Sequence, residues 1–123
     1  MVISGKKVLI IDDEIDLAKI AKERLEANGY QVFWAKDGDE GIRMAVEEKP
    51  DLILLDILIP KKDGLVTLQE LKSDMLTWGI PVIMLTIKSE SDTMMKAQEL
   101  GAADYFMKTD DWQELLKYIR RYI

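Results

Sequence analysis

Side chains that could do chemistry follow four of the five apolar runs in this chain. Asp12 and Asp13 follow the first run, Asp56 the third, Thr86 the fourth and Lys108 the fifth, whereas the second run ends without a comparable group. If the runs are parallel strands, their carboxyl ends meet at one edge of the sheet, which is where open α/β sheets bind ligands. The spacing therefore predicts three carboxylates, one hydroxyl and one ammonium in a single site.

Each of these residue types has a use in phosphoryl transfer. Carboxylates that are brought together repel one another, and Mg²⁺ or Mn²⁺ relieves the repulsion because such ions prefer hard oxygen ligands. A carboxylate such as Asp56 can attack phosphorus and form an acyl phosphate. Lys108 can then hold the phosphoryl oxygens by charge and Thr86 by a hydrogen bond. The set predicts metal-dependent phosphoryl transfer to a carboxylate.

Taken singly, each of these residues has a plainer structural interpretation. The Asp12-Asp13 pair can cap a helix, and Asp56 can be an ordinary turn residue. Thr86 can bond its own backbone, and Lys108 can be a solvated surface charge. Only their joint placement, each at the end of an apolar run, favours a site.

Composition narrows the class of protein. The 123 residues are 48% hydrophobic and 33% charged, which suits one globular domain over residues 1–123. The chain has no histidine and no cysteine, which excludes imidazole catalysis, thiolate chemistry and the usual zinc sites. A net charge of −6 disfavours direct binding to nucleic acids or anionic membranes. With no signal-peptide pattern and no membrane-length apolar run, we expect a cytoplasmic location.

Five repeats of a short apolar run followed by an amphipathic segment predict a doubly wound α/β fold with a five-stranded parallel sheet. Runs that are apolar throughout are typical of strands buried on both faces. The predicted strands are Val8–Ile11, Tyr30–Ala35, Leu52–Leu55, Pro81–Leu85 and Tyr105–Met107. The predicted helices are Glu14–Asn28, one opened by Asp37-Gly38, one after the turn Pro60–Gly64, Asp92–Leu100, and one that Asp111 caps.

Helical spacing also predicts which side chains are buried. In the first helix an apolar stripe is predicted to face the sheet, and it consists of Leu17, Ile20, Ala21 and Leu25. In the fourth helix a strip of flexible apolar residues is predicted to be mostly core, and it consists of Met94, Met95 and Ala97. The last helix has more aromatic residues than one buried stripe accommodates, which predicts an exposed partner or homodimer face. These residues are Trp112, Tyr118 and Tyr122.

Six segments in order resemble the receiver domain of two-component response regulators, and the resemblance covers essentially the whole chain. The segments are Val8–Glu14, Asp37-Gly38, Pro50–Asp56, Pro60 with Asp63-Gly64, Pro81–Thr86, and Gly101–Tyr105 leading to Lys108. The resemblance implies a flavodoxin-like (βα)5 fold with strand order 2-1-3-4-5. It also implies a signalling switch that is not an enzyme but assists its own phosphorylation and slow dephosphorylation.

The resemblance assigns roles to the acidic residues. Asp56 matches the phosphorylated aspartate of the family. Asp13 matches a direct Mg²⁺ ligand and Asp12 a ligand that acts through water, while the backbone carbonyl of Leu58 would complete the protein's share of the metal shell. The implied donor is a phosphohistidine on a histidine kinase or a histidine phosphotransfer protein.

The resemblance also implies how the phosphorylated state is sensed. Lys108 matches the lysine that pairs with the acyl phosphate, and Thr86 matches the hydroxyl that moves to the phosphoryl group. Tyr105 matches an aromatic residue that swings inward when Thr86 moves; the alternative is an edge-strand aromatic that only packs. The implied change reaches the face of the fourth helix, fifth strand and fifth helix, where a downstream protein partner or effector domain binds.

Departures from the family pattern carry predictions of their own. Thr109 replaces the proline that usually follows the lysine, which leaves both a cis and a trans Lys108–Thr109 peptide open. Ile87 replaces a small residue, and we expect its bulk to narrow access to the phosphoacceptor. Leu58 and Lys88 occupy positions that tune self-dephosphorylation in the family. Because Leu58 cannot orient an attacking water, slow hydrolysis of the acyl phosphate is predicted.

Two other functions stay open on the residues alone. A phosphatase of the haloacid dehalogenase type also uses an aspartyl nucleophile, but that class has a second aspartate two residues later, where this chain has Leu58. A pseudo-receiver would be an unphosphorylated interaction module. The intact acidic and lysine positions disfavour it, whereas Thr109 and Ile87 are compatible with it.

Overall fold

Five strands alternate with five helices in the computed structural model, which describes residues 5–57, 63–87, 91–108 and 111–123. The strands are β1 Lys7–Ile11, β2 Gln31–Ala35, β3 Leu52–Asp56, β4 Val82–Thr86 and β5 Asp104–Met107. The helices are α1 Ile15–Ala27, α2 Gly38–Glu48, α3 Gly64–Ser73, α4 Ser91–Glu99 and α5 Trp112–Arg120. The predicted alternation is confirmed, with small boundary shifts that make Asp56 and Thr86 the last residues of their strands.

All five strands are parallel and follow the order β2-β1-β3-β4-β5, which confirms the expected fold class. The register pairs Ile11 with Leu55 and Asp56 with Leu85 on neighbouring strands. Every residue of β3 and β4 is buried, because the central strands of a parallel sheet are covered by helices on both faces. The carboxyl ends of β1, β3, β4 and β5 therefore lie side by side at one edge of the sheet.

Helices cover both faces of the sheet and enclose two clusters of buried side chains. One cluster joins the sheet to α1 and α5 through side chains such as Leu25 and Leu115. The other joins the opposite face to α2, α3 and α4 through side chains such as Ala45, Leu68 and Ala97. Successive residues of β1 alternate between the two clusters, as the geometry of a strand requires.

Among the described residues, aspartates cap the N-termini of three helices. Asp37, Asp63 and Asp111 each accept a hydrogen bond from a backbone N–H in the first turn of α2, α3 and α5 respectively. These caps satisfy donors that the helix itself leaves unpaired, and the predicted cap at Asp111 is confirmed. None of the helices in the described part of the chain has both the length and the apolar character needed to cross a bilayer.

The buried stripe of α1 differs from the predicted one, of which only Ala21 and Leu25 are buried while Leu17 is half-buried. Ile20 was expected in the core, but its side chain is 42% exposed, and Ala18 is buried instead. Ala18, Ala21 and Leu25 are separated by three and four residues, which is also helical spacing. The pattern of apolar residues was compatible with both stripes, and packing against the sheet selects the one that contains the smaller residue.

The apolar strip of α4 is mostly exposed, so the prediction that it is core was wrong. Met94 and Met95 are 38% and 59% exposed, and only Ala97 is buried. A helix of nine residues that packs on the sheet through one small side chain leaves its longer apolar side chains to solvent. This face of the molecule therefore exposes two large apolar side chains, those of Met94 and Met95.

Candidate functional site

Four of the chemically useful side chains lie at the carboxyl edge of the sheet. Asp56 closes β3 and Thr86 closes β4, while Asp12 and Lys108 directly follow β1 and β5. Asp12, Asp56 and Thr86 are buried. Lys108 is held beside β4 by its backbone N–H, which donates to the carbonyl of Thr86 at 2.7 Å.

The ammonium of Lys108 forms ion pairs with three carboxylates. Its Nζ lies 2.7 Å from Asp12 Oδ2, 3.0 Å from Asp56 Oδ2 and 3.2 Å from Glu14 Oε1. The side chains of Lys108, Asp12 and Asp56 are each less than a tenth exposed. Asp12 and Asp56 would repel each other without a cation, so the lysine is the group that allows both carboxylates to be buried.

Two opposing effects act on the pKa of Lys108. Burial acts to lower the pKa because the ammonium loses hydration, but hydrogen bonds and charges from Asp12 and Asp56 outweigh that effect and raise the pKa above its ordinary value. Lys108 is therefore cationic throughout the neutral range. It can counter negative charge on Asp56 or on a group attached to Asp56.

Asp12, Asp13 and Asp56 form a group that fits a divalent cation. One carboxylate oxygen from each lies within 4.8 Å of the others. Asp12 and Asp56 are buried while Asp13 is exposed, so the group is open to solvent on one side. Mg²⁺ and Mn²⁺ prefer such hard oxygen ligands, and Mg²⁺ keeps several waters, which an open side accommodates. The donor set therefore suits either ion.

The sequence patterns did not single out Trp34, although it contacts the acidic group. Its indole Nε1–H donates to the backbone carbonyl of Asp12 at 2.7 Å. The N–H of Asp12 in turn donates to the carbonyl of Ala35 at 3.0 Å. The second strand, which ends without a carboxylate or hydroxyl, thus reaches the site through an indole. The available signal was a tryptophan one residue before the end of a strand predicted to lie next to the first.

Tyr105, the expected switch residue, is the second residue of β5 and is half-buried. It packs against the cluster that contains Ala97 of α4. Together with Met94 it lines a groove of about 250 Å³ between α4 and β5. Ile87, which was expected to narrow access to the phosphoacceptor, directly follows β4 and is 52% exposed.

Three positions with expected roles lie outside the described residues. They are Leu58 with its backbone carbonyl, Lys88, and Thr109 together with the geometry of the Lys108–Thr109 peptide. Their assignments therefore stay predictions from the sequence.

Comparison with known proteins gives matches over most of the chain. Residues 8–120 match the family model described as response regulator receiver domain. The chain is 42% identical over 104 residues to the alkaline phosphatase synthesis transcriptional regulatory protein PhoP of Bacillus subtilis, covering 85% of this chain and 42% of that protein. It is 39% identical over 116 residues to the phosphate regulon transcriptional regulatory protein PhoB of Pseudomonas aeruginosa, covering 94% and 51%. The chain spans about half the length of these curated relatives.

Solved structures match over nearly the whole chain. The BeF3-activated N-terminal receiver domain of Klebsiella pneumoniae RstA superposes with a TM-score of 0.89 at 29% identity, covering 95% of this chain and 97% of that one. The Vibrio cholerae chemotaxis protein CheY4 superposes with a TM-score of 0.92 at 26% identity, covering 98% and 100%. On the family match, the sequence relatives and the shared fold, the chain belongs to the response regulator receiver domain family.

Proposed function

We propose that residues 1–123 act as one receiver domain in which Asp56 accepts a phosphoryl group from a phosphohistidine. The donor would be a histidine kinase or a histidine phosphotransfer protein. The observation that carries the proposal is the ion pair of 3.0 Å between Asp56 and Lys108, within an acidic group in which Asp12 and Asp56 are buried. An oxygen of a buried carboxylate held by a lysine is oriented before the donor arrives, which favours in-line attack.

The proposed transfer makes one bond and breaks one. A carboxylate oxygen of Asp56 attacks phosphorus, the P–N bond of the phosphohistidine breaks, and the imidazole leaves with the electron pair. The acyl phosphate adds negative charge beside Asp12 and Asp13. Lys108 counters that charge, and the hydroxyl of Thr86 at the end of the neighbouring strand donates a hydrogen bond to a phosphoryl oxygen.

A divalent cation would be held by the carboxylates of Asp12, Asp13 and Asp56, and the resemblance to the family adds the carbonyl of Leu58. When bound, Mg²⁺ or Mn²⁺ supplies positive charge that offsets the charge of the entering phosphoryl group. Support comes from the spacing of the three carboxylates, whose oxygens lie within 4.8 Å of one another. One ammonium cannot balance three carboxylates, so the site has net negative charge to attract the ion.

The proposed output is a shift on the face of α4, β5 and α5. Tyr105 lies in β5 and Lys108 directly follows this strand, so a change at Lys108 has a short path to the groove that Tyr105 lines. Met95 and Tyr122 add exposed apolar surface to the same face, which is typical of surfaces that bind partners. The curated relatives are named as transcriptional regulators, and for this chain we propose a downstream protein partner, an effector domain or a second copy as the receiver of the signal.

Phosphorylation of Asp56 is tested by intact-mass measurement after incubation with acetyl phosphate and Mg²⁺. Wild type should gain the mass of one phosphoryl group, and Asp56→Asn should gain none. Asp39→Asn, which changes an exposed aspartate in the first turn of α2, is the matched control and should behave as wild type. No gain on wild type contradicts the proposal and favours the pseudo-receiver. An equal gain on wild type and Asp56→Asn also contradicts it, because the phosphoryl group is then carried by another residue.

The switching role of Tyr105 needs a separate experiment. Tyr105→Ala should reduce the difference between the phosphorylated and unphosphorylated protein in affinity for its partner, while leaving the mass gain at Asp56 intact. Phe33→Ala controls for loss of an aromatic side chain, because Phe33 is half-buried against the same cluster as Tyr105 but lies on β2, at the opposite edge of the sheet. An unchanged difference in Tyr105→Ala would assign that residue to packing alone.

A further inference from the structure

Trp34 connects the second strand to the acidic site through the backbone of Asp12. Its indole Nε1–H donates to the Asp12 carbonyl at 2.7 Å, although the two residues are 22 positions apart in the chain. Trp34 is the fourth residue of β2 and pairs in register with Ile10. The indole therefore reaches two residues beyond its own strand partner, to the point where β1 has ended.

The contact restrains the peptide group that joins two of the acidic residues. The carbonyl of Asp12 belongs to the planar unit between Asp12 and Asp13, so the indole holds that plane. The preceding plane is held as well, because the N–H of Asp12 donates to the carbonyl of Ala35 at 3.0 Å. Both peptide groups that flank the Cα of Asp12 are thus hydrogen-bonded to residues of β2.

The carboxylate of Asp12 is also held at both oxygens. Oδ1 accepts a hydrogen bond from the N–H of Glu14 at 2.9 Å, and Oδ2 lies 2.7 Å from Nζ of Lys108. With the backbone fixed by β2, these contacts determine where the carboxylate points. Asp12 is 2% exposed, so water cannot readily replace a donor that is removed from its carbonyl.

We propose that Trp34 is a positioning residue of the acidic site, whose indole N–H orients Asp12 and the following peptide and thereby strengthens the binding of a divalent cation. The inference rests on the proposed function in taking Mg²⁺ as the ligand of this site. Residues that orient metal ligands from outside the ligand set commonly have large effects on metal affinity.

Packing alone would be the other role for this side chain. Trp34 is half-buried and packs against the cluster on the side of α1 and α5, as many strand aromatics do. A packing role needs the ring, whereas a positioning role needs the indole N–H. Trp34→Phe separates the two because it keeps an aromatic ring and removes the donor.

The experiment compares Mg²⁺ dissociation constants measured by titration calorimetry well below the unfolding temperature. Trp34→Phe should raise the dissociation constant about three- to ten-fold, since one buried hydrogen bond is lost. Trp112→Phe is the matched control, because Trp112 is likewise a half-buried tryptophan that packs against the same cluster. Trp112→Phe should change the Mg²⁺ dissociation constant by less than about two-fold, because it removes no hydrogen bond that orients a ligand.

Two calorimetric results would overturn the inference. One is a dissociation constant in Trp34→Phe within two-fold of wild type, and the other is an equal rise in both variants. Global destabilisation does not mimic the expected result, because the titration reports on folded molecules. If Trp34→Phe does not fold, the test is made on wild type by nuclear magnetic resonance. The signal of the Trp34 indole N–H should shift on addition of Mg²⁺, whereas the signal of the Trp78 indole N–H should not, because Trp78 is 62% exposed and does not contact the described residues of the site. A Trp34 signal that does not move overturns the inference.

Failure of the proposed function is distinguishable from failure of this inference. If wild type binds no Mg²⁺, the metal site proposed above is wrong. The contact between Trp34 and Asp12 is then tested in the metal-free protein by the rate at which each indole N–H exchanges with solvent. Protection at Trp34 relative to Trp112, which is half-buried against the same cluster, shows that the contact with Asp12 forms and that only the metal site fails, whereas equal exchange at both overturns the inference as well.

Discussion

A methyl group at Gly64 would collide with the backbone of the strand that carries Asp56. Gly64 begins α3, and its N–H donates to the carbonyl of Ile57 at 2.9 Å. A Cβ placed on Gly64 would lie 2.6 Å from the Cα of Ile57 and 2.7 Å from its carbonyl oxygen, and it would also meet the carbonyl oxygen of Asp56. Ordinary contacts between such atoms are about 3.5–4.0 Å, so α3 must withdraw by about 1 Å.

The expected cost follows from what that withdrawal breaks. Overpacking against a backbone that cannot yield costs about 1–3 kcal/mol, and loss of the hydrogen bond to Ile57 adds about 0.5–1.5 kcal/mol. Alanine offsets less than about 1 kcal/mol of this cost, because it is a better helix former than glycine. We therefore expect Gly64→Ala to lower the free energy of unfolding by about 2–3 kcal/mol. The shift next to Asp56 should also slow labelling by acetyl phosphate about ten-fold or more.

Urea unfolding followed by circular dichroism measures the free energy, and intact mass against time measures the labelling. Gly79→Ala is the control, because a Cβ on Gly79 would have no heavy atom within 4 Å. That variant should stay within about 0.5 kcal/mol of wild type and label at the wild-type rate. If Gly64→Ala is as stable as Gly79→Ala, the close approach of α3 to β3 does not constrain the chain.

Three further predictions concern the charges and the lifetime of the acyl phosphate. Lys108→Met leaves Asp12 and Asp56 buried without their counter-ion, so it should lower the free energy of unfolding in EDTA by about 3–5 kcal/mol. A decrease of less than about 1 kcal/mol in urea titrations would contradict this prediction. Asp13→Asn removes an exposed carboxylate that Asp12 and Asp56 repel, so it should raise the free energy of unfolding in EDTA by about 1 kcal/mol. It should also reduce the rise in melting temperature caused by Mg²⁺, and a lower melting temperature than wild type in EDTA would count against the prediction. Because Leu58 cannot orient an attacking water, the phosphorylated protein should decay over minutes or longer in Mg²⁺, and a half-life of seconds by intact mass would disprove it.

Most of the fold was predictable because it depends on short-range patterns. Apolar runs such as Leu52–Leu55 are too short for helices, and runs that are apolar throughout belong in a sheet covered on both faces. Boundaries were less certain, and the structure includes Asp56 and Thr86 in their strands. A polar residue at a strand end can join the ladder through its backbone, whatever its side chain does.

Helix faces were harder to predict than helix positions. Ile20 lies three residues after Leu17 and Ala18 lies three residues before Ala21, so the sequence of α1 was compatible with either residue in the stripe. The distance and tilt of the helix against the sheet decide between them, and these depend on every side chain in the cluster. The same holds for α4, where Met94 and Met95 are apolar but exposed.

The fold class and the set of residues at one edge of the sheet follow from the sequence alone, because parallel strands place their carboxyl ends together whatever the details of packing. Side-chain contacts across strands do not follow from it, because they depend on register and rotamers. The folded chain was needed to show that Lys108 lies against both Asp12 and Asp56. It was also needed to show that the second strand, which carries no acidic or hydroxyl group at its end, reaches the site through the indole of Trp34.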